Sequence, residues 1–177
     1  MKRCVHSGCA FQLNIFFNFR HYVSTPSYLL PAPCLLFLQH IAWKDFDYPY
    51  TSSTGGKPKA CAADASKSVV RTTGYTRVST SAADEPAMAS YVSSTGPLSV
   101  CVDASQWSTY TGGIMSSCGQ VVDHCVQAVG IDTAAKYWKI RNSWGTSWGE
   151  GGYIRLTYGS NTCNVTSDSN FATVVGY

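Results

Sequence analysis

Residues 121–142 read VVDHCVQAVGIDTAAKYWKIRN and contain two short apolar runs, 121–131 and 137–141, on either side of a polar stretch. Runs of this length, rich in Val and Ile and joined by about five residues, are typical of a β-hairpin. With the turn centred at Ala134, the numbers of facing residues add up to about 268, twice 134. His124 and Asn142 then become diagonal neighbours on one face, roughly 7–8 Å apart at the backbone. A shift of one residue would separate them onto opposite faces.

Further strands are predicted on both sides of this hairpin. They are short, rich in Val, Ile and Tyr, and bounded by turns that contain Gly: Leu98–Val102, Tyr153–Tyr158 and Phe171–Val175. The earlier segment Val69–Val78 is predicted to be a strand pair or a single extended segment.

One helix is predicted before the first of these strands. Asp84 is a suitable N-cap, and Met88, Tyr91 and Val92 form an apolar stripe at helical spacing. The Gly96-Pro97 pair ends the helix. The fold class is therefore α+β, an antiparallel sheet or small barrel with a short helix, and not a series of alternating β-α-β units.

Composition and charge narrow the range of partners. The chain has 177 residues, of which 45% are hydrophobic and 13% charged, and its net charge is +3. The charged fraction is about half the ~25% usual in soluble domains, which excludes a highly charged disordered tail. The net charge is too small to indicate a nucleic-acid partner. The apolar run Tyr28–Leu38 is too short to span a bilayer, so no membrane partner is predicted.

The chain divides into two parts of different composition. Residues 1–44 carry four bases and no acid, whereas the other 133 residues carry nine bases and ten acids. We therefore predict an unrelated or unassigned segment at 1–44 and a folded part at 45–177. The eight Cys include no Cys-x-x-Cys pair, which favours disulfides in an oxidising compartment over a zinc or thioredoxin motif. No metal or cofactor is predicted.

Two motifs resemble those of the papain-like cysteine proteases, in the cathepsin L-like group. Val122–Gly130 resembles the strand that carries the family's catalytic histidine, and Arg141–Tyr153 resembles its asparagine motif, with Asn-Ser-Trp-Gly at 142–145. Both stand in the family's order and spacing, and shorter stretches also match it: Asp47–Tyr50, Gly96–Val100 and Tyr110–Ile114. The resemblance covers roughly residues 45–177. It implies the β-rich, barrel-like half of the papain-like fold without the helical half.

The resemblance implies a role for each matching side chain. His124 would stabilise a nucleophilic thiolate and then protonate the leaving amine, while Asn142 would orient the ring and fix its tautomer. Trp144 would cover the His–Asn contact, and Trp148 would line the leaving-group side of the cleft. The alternative is that His124 is a core histidine and that both Trp residues serve core packing.

Further substrate contacts are implied along the wall of the main pocket. They are assigned to Cys101, Asp123, Cys125 and Ala128. Asp168, five positions after Cys163, would lie at the pocket floor and could pair with an Arg side chain of the substrate. The alternatives for Asp168 are that it faces water, or that a shift of one residue places Ser167 or Ser169 at the pocket floor instead.

The family's nucleophile motif, of the type Cys-Gly-Ser-Cys-Trp, has no counterpart here. It normally lies about 130–150 residues before the histidine. The most similar stretch is Ser7–Phe11, in which Cys9 lies 115 residues before His124. No Trp follows this Cys, and the Gln of the oxyanion hole does not precede it. The nucleophile and the oxyanion Gln are thus expected to be absent, with Cys9 the remaining candidate.

The sequence therefore predicts part of a cysteine endopeptidase that is inactive as an isolated chain. The expected partners are a peptide or protein substrate, or the missing N-terminal half. The alternatives are a non-catalytic half-protease that acts as a binding or inhibitory module, and a truncated product without function.

The resemblance also assigns the remaining cysteines. It implies a disulfide between Cys118 and Cys163 and leaves Cys61 without its partner, whereas Cys101 and Cys125 are expected to be buried and unpaired. Asn164-Val165-Thr166 is an acceptor sequence for N-glycosylation, although the adjoining Cys163 opposes its occupancy. The implied location is lysosomal, vacuolar or secreted, without a convincing signal peptide at the start.

Overall fold

The structure is a computed structural model that describes residues 41–43 and 64–176. Cys9, Cys61 and the Asp47–Tyr50 motif lie outside the described residues. Two compact units are present: residues 75–171 form the larger one, and the described residues before 75 and after 171 belong to the smaller one. The candidate site lies entirely within the larger unit.

Strands account for most of the regular structure. The strands are β1 (Ile41–Trp43), β2 (Ser68–Ser79), β3 (Leu98–Val102), β4 (Ile114–Met115), β5 (His124–Asp132), β6 (Tyr137–Arg141), β7 (Tyr153–Thr157) and β8 (Ser169–Gly176). Helix α1 spans Glu85–Ser94, and short 3-10 turns occur at Ala65–Lys67, Ala82–Asp84, Trp107–Thr109 and Thr162–Asn164. The predicted α+β class is confirmed. The segment predicted as a strand pair or extended stretch is one continuous strand, β2.

The hydrogen-bonded strand order is β1-β2-β8-β3-β5-β6-β7-β4. Among the strands of the described residues, β1 and β4 stand at the two edges, so these strands do not close into a barrel. The pairs β3–β5, β5–β6 and β6–β7 are antiparallel, as predicted, but β4 runs parallel to β7. The two-residue β4 was not predicted, because a run this short has no periodicity to detect.

Alternation along the strands places one face of the sheet in the core. In β6 and β7 every second residue is fully buried, namely Trp138, Ile140, Ile154 and Leu156. The β3 residues Leu98, Val100 and Val102 and the β5 residues Val126 and Ala128 are also fully buried. A period of two is what a half-buried strand requires, since successive side chains point to opposite faces.

Helix α1 begins and ends close to the predicted positions, but its start differs in detail. Asp84 occupies the N-cap position, yet its carboxylate accepts the N–H groups of Thr80 and Ser81 instead of capping the helix. The next residue, Glu85, is 3% exposed and accepts hydrogen bonds from Trp138 Nε1 at 2.8 Å and from the Asn161 N–H at 3.0 Å. A buried carboxylate thus ties the helix start to β6.

The predicted hairpin register is confirmed at the site end. Gln127 pairs with Arg141 and Ala128 with Ile140, as a turn centre at Ala134 requires. A bulge between Ala128 and Gly130 then shifts the pairing by one residue towards the turn. Since the bulge lies on the turn side, the positions of His124 and Asn142 follow the unshifted register.

Candidate active site

His124 and Asn142 meet at the open end of the hairpin. His124 is the first residue of β5, and Asn142 directly follows β6. The Nε2 atom of His124 lies 2.9 Å from Oδ1 of Asn142. That same oxygen accepts the Ser143 N–H at 2.8 Å. Because Oδ1 is an acceptor, Nε2 carries the proton and donates it, and in the neutral ring Nδ1 is the nitrogen with a free lone pair.

Two indole rings enclose the imidazole of His124. Trp144 stacks on it, with ring centroids 5.2 Å apart and an interplanar angle of 28°. Trp107 meets it edge-on at 6.2 Å and 89°. Trp107 is fully buried, whereas Trp144 is 41% exposed, and Asn142 is 8% exposed. The aromatic cover therefore keeps water from the His124–Asn142 hydrogen bond, which is stronger where the local dielectric is low.

Trp107 is a residue that the sequence analysis missed. Its ring stacks on that of Trp148 at 6.1 Å, and Trp148 Nε1 donates to the Trp107 carbonyl at 3.0 Å. The Nε1 atom of Trp107 donates to Cys163 Sγ at 3.4 Å. Cys163 is joined to Cys118 by a disulfide. No local signal in the sequence could have found Trp107, because its place beside His124 depends on the pairing of β3 with β5, in which Val102 faces His124.

Two carboxylates fix the segment that leads into His124. Asp103, 3% exposed, accepts the N–H groups of Ser105 and of Val121, the latter at 2.8 Å. The hydrogen bond from the Ser105 side chain lowers the pKa of Asp103 below its ordinary value. The predicted contact residue Asp123 accepts the Ala104 N–H at 2.8 Å. A Cβ at Gly119 would collide with the Asp103 carboxylate, so this approach requires glycine.

We expect Asp103→Asn to lower the free energy of unfolding by about 1–3 kcal/mol, the cost of leaving buried donors without acceptors. In this variant an NH₂ group replaces one of the two carboxylate oxygens. It cannot accept the hydrogen bond that a backbone N–H now donates to that oxygen. Urea unfolding followed by circular dichroism measures the loss. Asp132→Asn is the matched control, because Asp132 accepts two turn N–H groups through one oxygen, which Asn also provides. An equal loss in both variants would contradict this account.

The loop after Asn142 is held by Glu150. Its Oε1 accepts the Gly113 N–H at 2.9 Å and lies 2.6 Å from Arg155 Nη2. These hydrogen bonds, with that from Arg155 the largest influence, lower the pKa of Glu150 to about 2. The ion pair anchors the motif that contains Asn142, Trp144 and Trp148 to β7.

This lowered pKa predicts a pH-dependent contribution to stability. A carboxyl whose pKa is lower in the folded than in the unfolded chain, where it is about 4.3, stabilises the fold above that value. The contribution is lost as the pH falls from about 4.3 through about 2. We expect Glu150→Gln to be less stable than the parent at pH 6, with the difference vanishing near pH 2. Unfolding curves over this range measure it, and a difference that does not change with pH would contradict the assignment.

The cysteines of the predicted pocket wall are paired with each other. Cys101 in β3 stands directly opposite Cys125 in β5, and a disulfide joins them. The expectation that both are unpaired was wrong, because the sequence alone did not show that β3 pairs with β5. Asp168 lies beside this pair, since its carbonyl accepts the Cys101 N–H at 3.2 Å. Ala128 does not lie on the face of β5 that carries Cys125. It is three residues from Cys125 along the strand, so its side chain points to the opposite face, where it is fully buried in the core.

The Asp168 carboxylate already has a cationic partner. Its Oδ1 lies 3.4 Å from Arg77 Nε, and the two side chains are 19% and 25% exposed. The sequence analysis did not find Arg77, which lies about ninety positions away on β2.

The N-glycosylation acceptor sequence is folded into the surface. Asn164 Nδ2 donates to the Gln120 carbonyl at 3.0 Å. Thr166 is fully buried, with its Oγ1 2.9 Å from Asn161 Oδ1. In the folded chain both side chains of the acceptor sequence are therefore engaged.

Three further properties of the described residues concern thiols, metals and membranes. The four cysteines in residues 64–176 are all joined in the two disulfides. Within the described part of the chain, no group of three or more His, Cys, Asp or Glu side chains could hold a metal ion. None of the helices in that part is long and apolar enough to cross a membrane.

Comparison with known proteins gives one family. The model of the papain family cysteine proteases matches residues 35–173. Cysteine proteinase A of Leishmania mexicana is 42% identical over 130 residues, which are 72% of this chain and 35% of that protein. The cathepsin L-like proteinase of Phaedon cochleariae is 44% identical over 117 residues, which are 63% of this chain and 34% of that protein. The chain thus spans about a third of the length of these curated relatives.

Solved structures of similar proteins agree with this match. The bromelain protease of Ananas comosus, in complex with the E64 inhibitor, has a TM-score of 0.58 and 34% identity. That alignment covers 74% of this chain and 62% of bromelain. Digestive procathepsin L 3 of Tenebrio molitor has a TM-score of 0.67 and 29% identity, over 79% of this chain and 47% of the other.

Proposed function

Because this chain belongs to the papain family of cysteine proteases, we propose that it supplies the imidazole and amide of a cysteine endopeptidase active site. His124 and Asn142 are the two catalytic groups that it carries. The observation that supports this proposal most is the hydrogen bond from His124 Nε2 to Asn142 Oδ1, 2.9 Å long. The Ser143 N–H on the same oxygen fixes its direction.

The proposed mechanism assigns one nitrogen of the ring to each task. Nε2–H is held by Asn142, so Nδ1 faces the nucleophile. A cysteine thiol transfers its proton to Nδ1, and the imidazolium then stabilises the thiolate. After the thiolate attacks the peptide carbonyl, Nδ1–H protonates the leaving amine. Trp144 and Trp107 exclude water from the Nε2 side, which keeps the ring in this orientation.

The described residues contain no candidate for the nucleophile. All four cysteines in residues 64–176 are in disulfides. We therefore expect these 177 residues, made alone, not to hydrolyse a fluorogenic dipeptide at about pH 5–7 with mild reductant. Turnover that a thiol-directed epoxide stops, and that Cys9→Ala abolishes, would contradict this expectation and make Cys9 the nucleophile.

A second candidate is a non-catalytic half-protease that acts as a binding or inhibitory module. It is supported by the two disulfides, which engage every cysteine in residues 64–176 and leave that part of the chain without a thiol nucleophile of its own. The decisive experiment fuses residues 35–177, which include β1 and the start of the family match, behind the nucleophile-bearing half of a similar enzyme, such as the Leishmania mexicana proteinase. Turnover in this fusion supports the endopeptidase. A folded fusion without turnover would favour the non-catalytic module.

For the substrate, we propose that Asp168 and Arg77 together set the charge of the main pocket. With the ion pair intact at 3.4 Å, the carboxylate is neutralised within the chain, and apolar side chains are favoured. In the active fusion we expect Arg77→Ala to raise the ratio of kcat/KM for Arg over Phe, two residues before the cut, about tenfold. This corresponds to about 1.4 kcal/mol. Asp168→Ala should cancel that gain. An unchanged ratio in both variants would place Asp168 outside the pocket.

The compartment and the domain boundary complete the proposal. Two disulfides in the described residues favour an oxidising location, lysosomal, vacuolar or secreted. The boundary after residue 44 stays a prediction. The family match begins at residue 35, and β1 at Ile41–Trp43 pairs with β2, which favours an earlier boundary.

A further inference from the structure

The Cys101–Cys125 disulfide lies at the end of the β3–β5 ladder. Cys101 and Cys125 are direct partners, and the next pair, Val102 with His124, is the last one. Beyond it the Asp123 N–H still donates to the Val102 carbonyl at 3.0 Å. An antiparallel ladder opens most easily at its end, where each residue has neighbours on one side only. The covalent link is therefore one residue away from the place where β5 would separate from β3.

We infer that this disulfide is a redox-controlled positioning element for His124. When it is intact, it holds the start of β5 against β3, so that Nε2 stays within hydrogen-bond distance of Asn142 Oδ1. When it is reduced, only hydrogen bonds hold the start of β5, namely those of the ladder and those that Asp103 and Asp123 accept. The start of β5 then moves more readily relative to β3, and the ring loses its fixed place beside Trp144. The positional effect stands independently of catalysis, and its consequence for proteolysis rests on the proposed function.

The effect is transmitted through the backbone. Successive side chains of a strand point to opposite faces, so the Cys125 side chain and the His124 ring lie on opposite faces of β5. The ring contacts Asn142, Trp144 and Trp107, and the first two of these follow β6. The ring is thus held by two contacts from the β6 side and by Trp107 from the segment after β3, while its backbone is held by β3 itself. A displacement of the β5 start changes the distance between Nε2 and Oδ1 directly.

The more exposed of the two cysteines determines the course of reduction. Cys125 is half-buried and Cys101 is 1% exposed. A thiolate of a dithiol reductant attacks Cys125 Sγ, the Sγ–Sγ bond breaks, and Cys101 leaves as a thiolate that takes up a proton. The second thiol of the reductant then breaks the mixed disulfide, releasing the Cys125 thiol. The dithiol supplies both electrons and becomes a cyclic disulfide.

The test uses proton NMR of the His124 ring in the full chain, assigned by its loss in His124→Asn. Stacking on Trp144 at 5.2 Å displaces the ring-proton resonance from the value of an unstructured histidine. We expect the double variant Cys101→Ser, Cys125→Ser to lose at least half of this displacement at a temperature where it is folded. Reduction of the parent should give the same shift, and reoxidation should reverse it. Alkylation and mass spectrometry report which cysteines have reacted.

The matched control is the double variant Cys118→Ser, Cys163→Ser. It removes the other disulfide, and serine at position 163 keeps an acceptor for Trp107 Nε1, which now donates to Cys163 Sγ. We expect its His124 resonance to stay in place. If the first variant does not fold, Cys101→Ala with Cys125→Val provides an apolar cross-strand pair for the same measurement. An unchanged His124 resonance in a folded variant without the link, or an equal shift in the control, would overturn the inference. Because no turnover is measured, failure of the proposed function leaves this result unaffected.

Discussion

The Trp107→Ala chain is expected to lose about 3–5 kcal/mol of unfolding free energy, the usual cost of removing a large buried aromatic side chain. Trp107 is fully buried and contacts the rings of His124, Trp144 and Trp148. Its removal leaves a cavity under all three rings and deprives Cys163 Sγ of its donor. Urea unfolding followed by far-UV circular dichroism measures the change.

Trp144→Ala is the matched control for this loss. Trp144 belongs to the same aromatic cluster and also stacks on His124, but it is 41% exposed. Truncating a half-exposed side chain creates no closed cavity, so we expect a loss of about 1 kcal/mol. Equal losses in the two variants would contradict the expectation that the buried Trp107 contributes more to stability than the exposed Trp144.

The second large effect is on catalysis. In the active fusion described above, His124→Ala is expected to lower kcat/KM by about 10³–10⁴, since general acid–base groups contribute up to this amount. Asn142→Ala keeps the imidazole and removes only its acceptor. We expect a smaller loss of about 10–100-fold, because a hydrogen bond to a charged group is worth about 1.5–3 kcal/mol. The effect of Asn142→Ala should fall mainly on kcat, as the interaction is strongest when the ring is charged.

Thr133→Ala provides the control for these two variants. Thr133 lies in the turn of the same hairpin and is exposed, so its replacement tests whether any change in the hairpin lowers activity. Steady-state kinetics on a fluorogenic dipeptide, with active sites titrated by a thiol-directed epoxide, separates lost turnover from lost protein. If His124→Ala retained full activity, His124 would not be the catalytic base, and the proposed mechanism would be wrong.

The site was predictable where its geometry is local. His124 and Asn142 lie on one hairpin, so the turn centre at Ala134 and the strand period determine their separation. The bulge at Ala128–Gly130 was not predictable, but it lies on the turn side and leaves their register unchanged.

What the sequence did not predict depends on contacts between distant segments. The Cys101–Cys125 disulfide requires the pairing of β3 with β5, which no local pattern reveals. Trp107 becomes part of the site only because the chain after β3 folds back under β5. For the same reason the sequence analysis assigned no role to the buried Glu85, whose partner Trp138 lies 53 positions away.

The hairpin that joins His124 to Asn142 also has a consequence for the order of folding. The two residues are 18 positions apart, whereas Trp107 and the Cys163 sulfur that holds it are 56 apart. Closing a short loop costs less chain entropy, and isolated hairpins form within about 1–10 μs. We expect β5 and β6 to acquire amide protection before the segments around Trp107 in pulse-labelling hydrogen exchange. The hydrogen-bonded pair would then be assembled early by local contacts, and the aromatic cover that shields it would close only as the rest of the unit collapses.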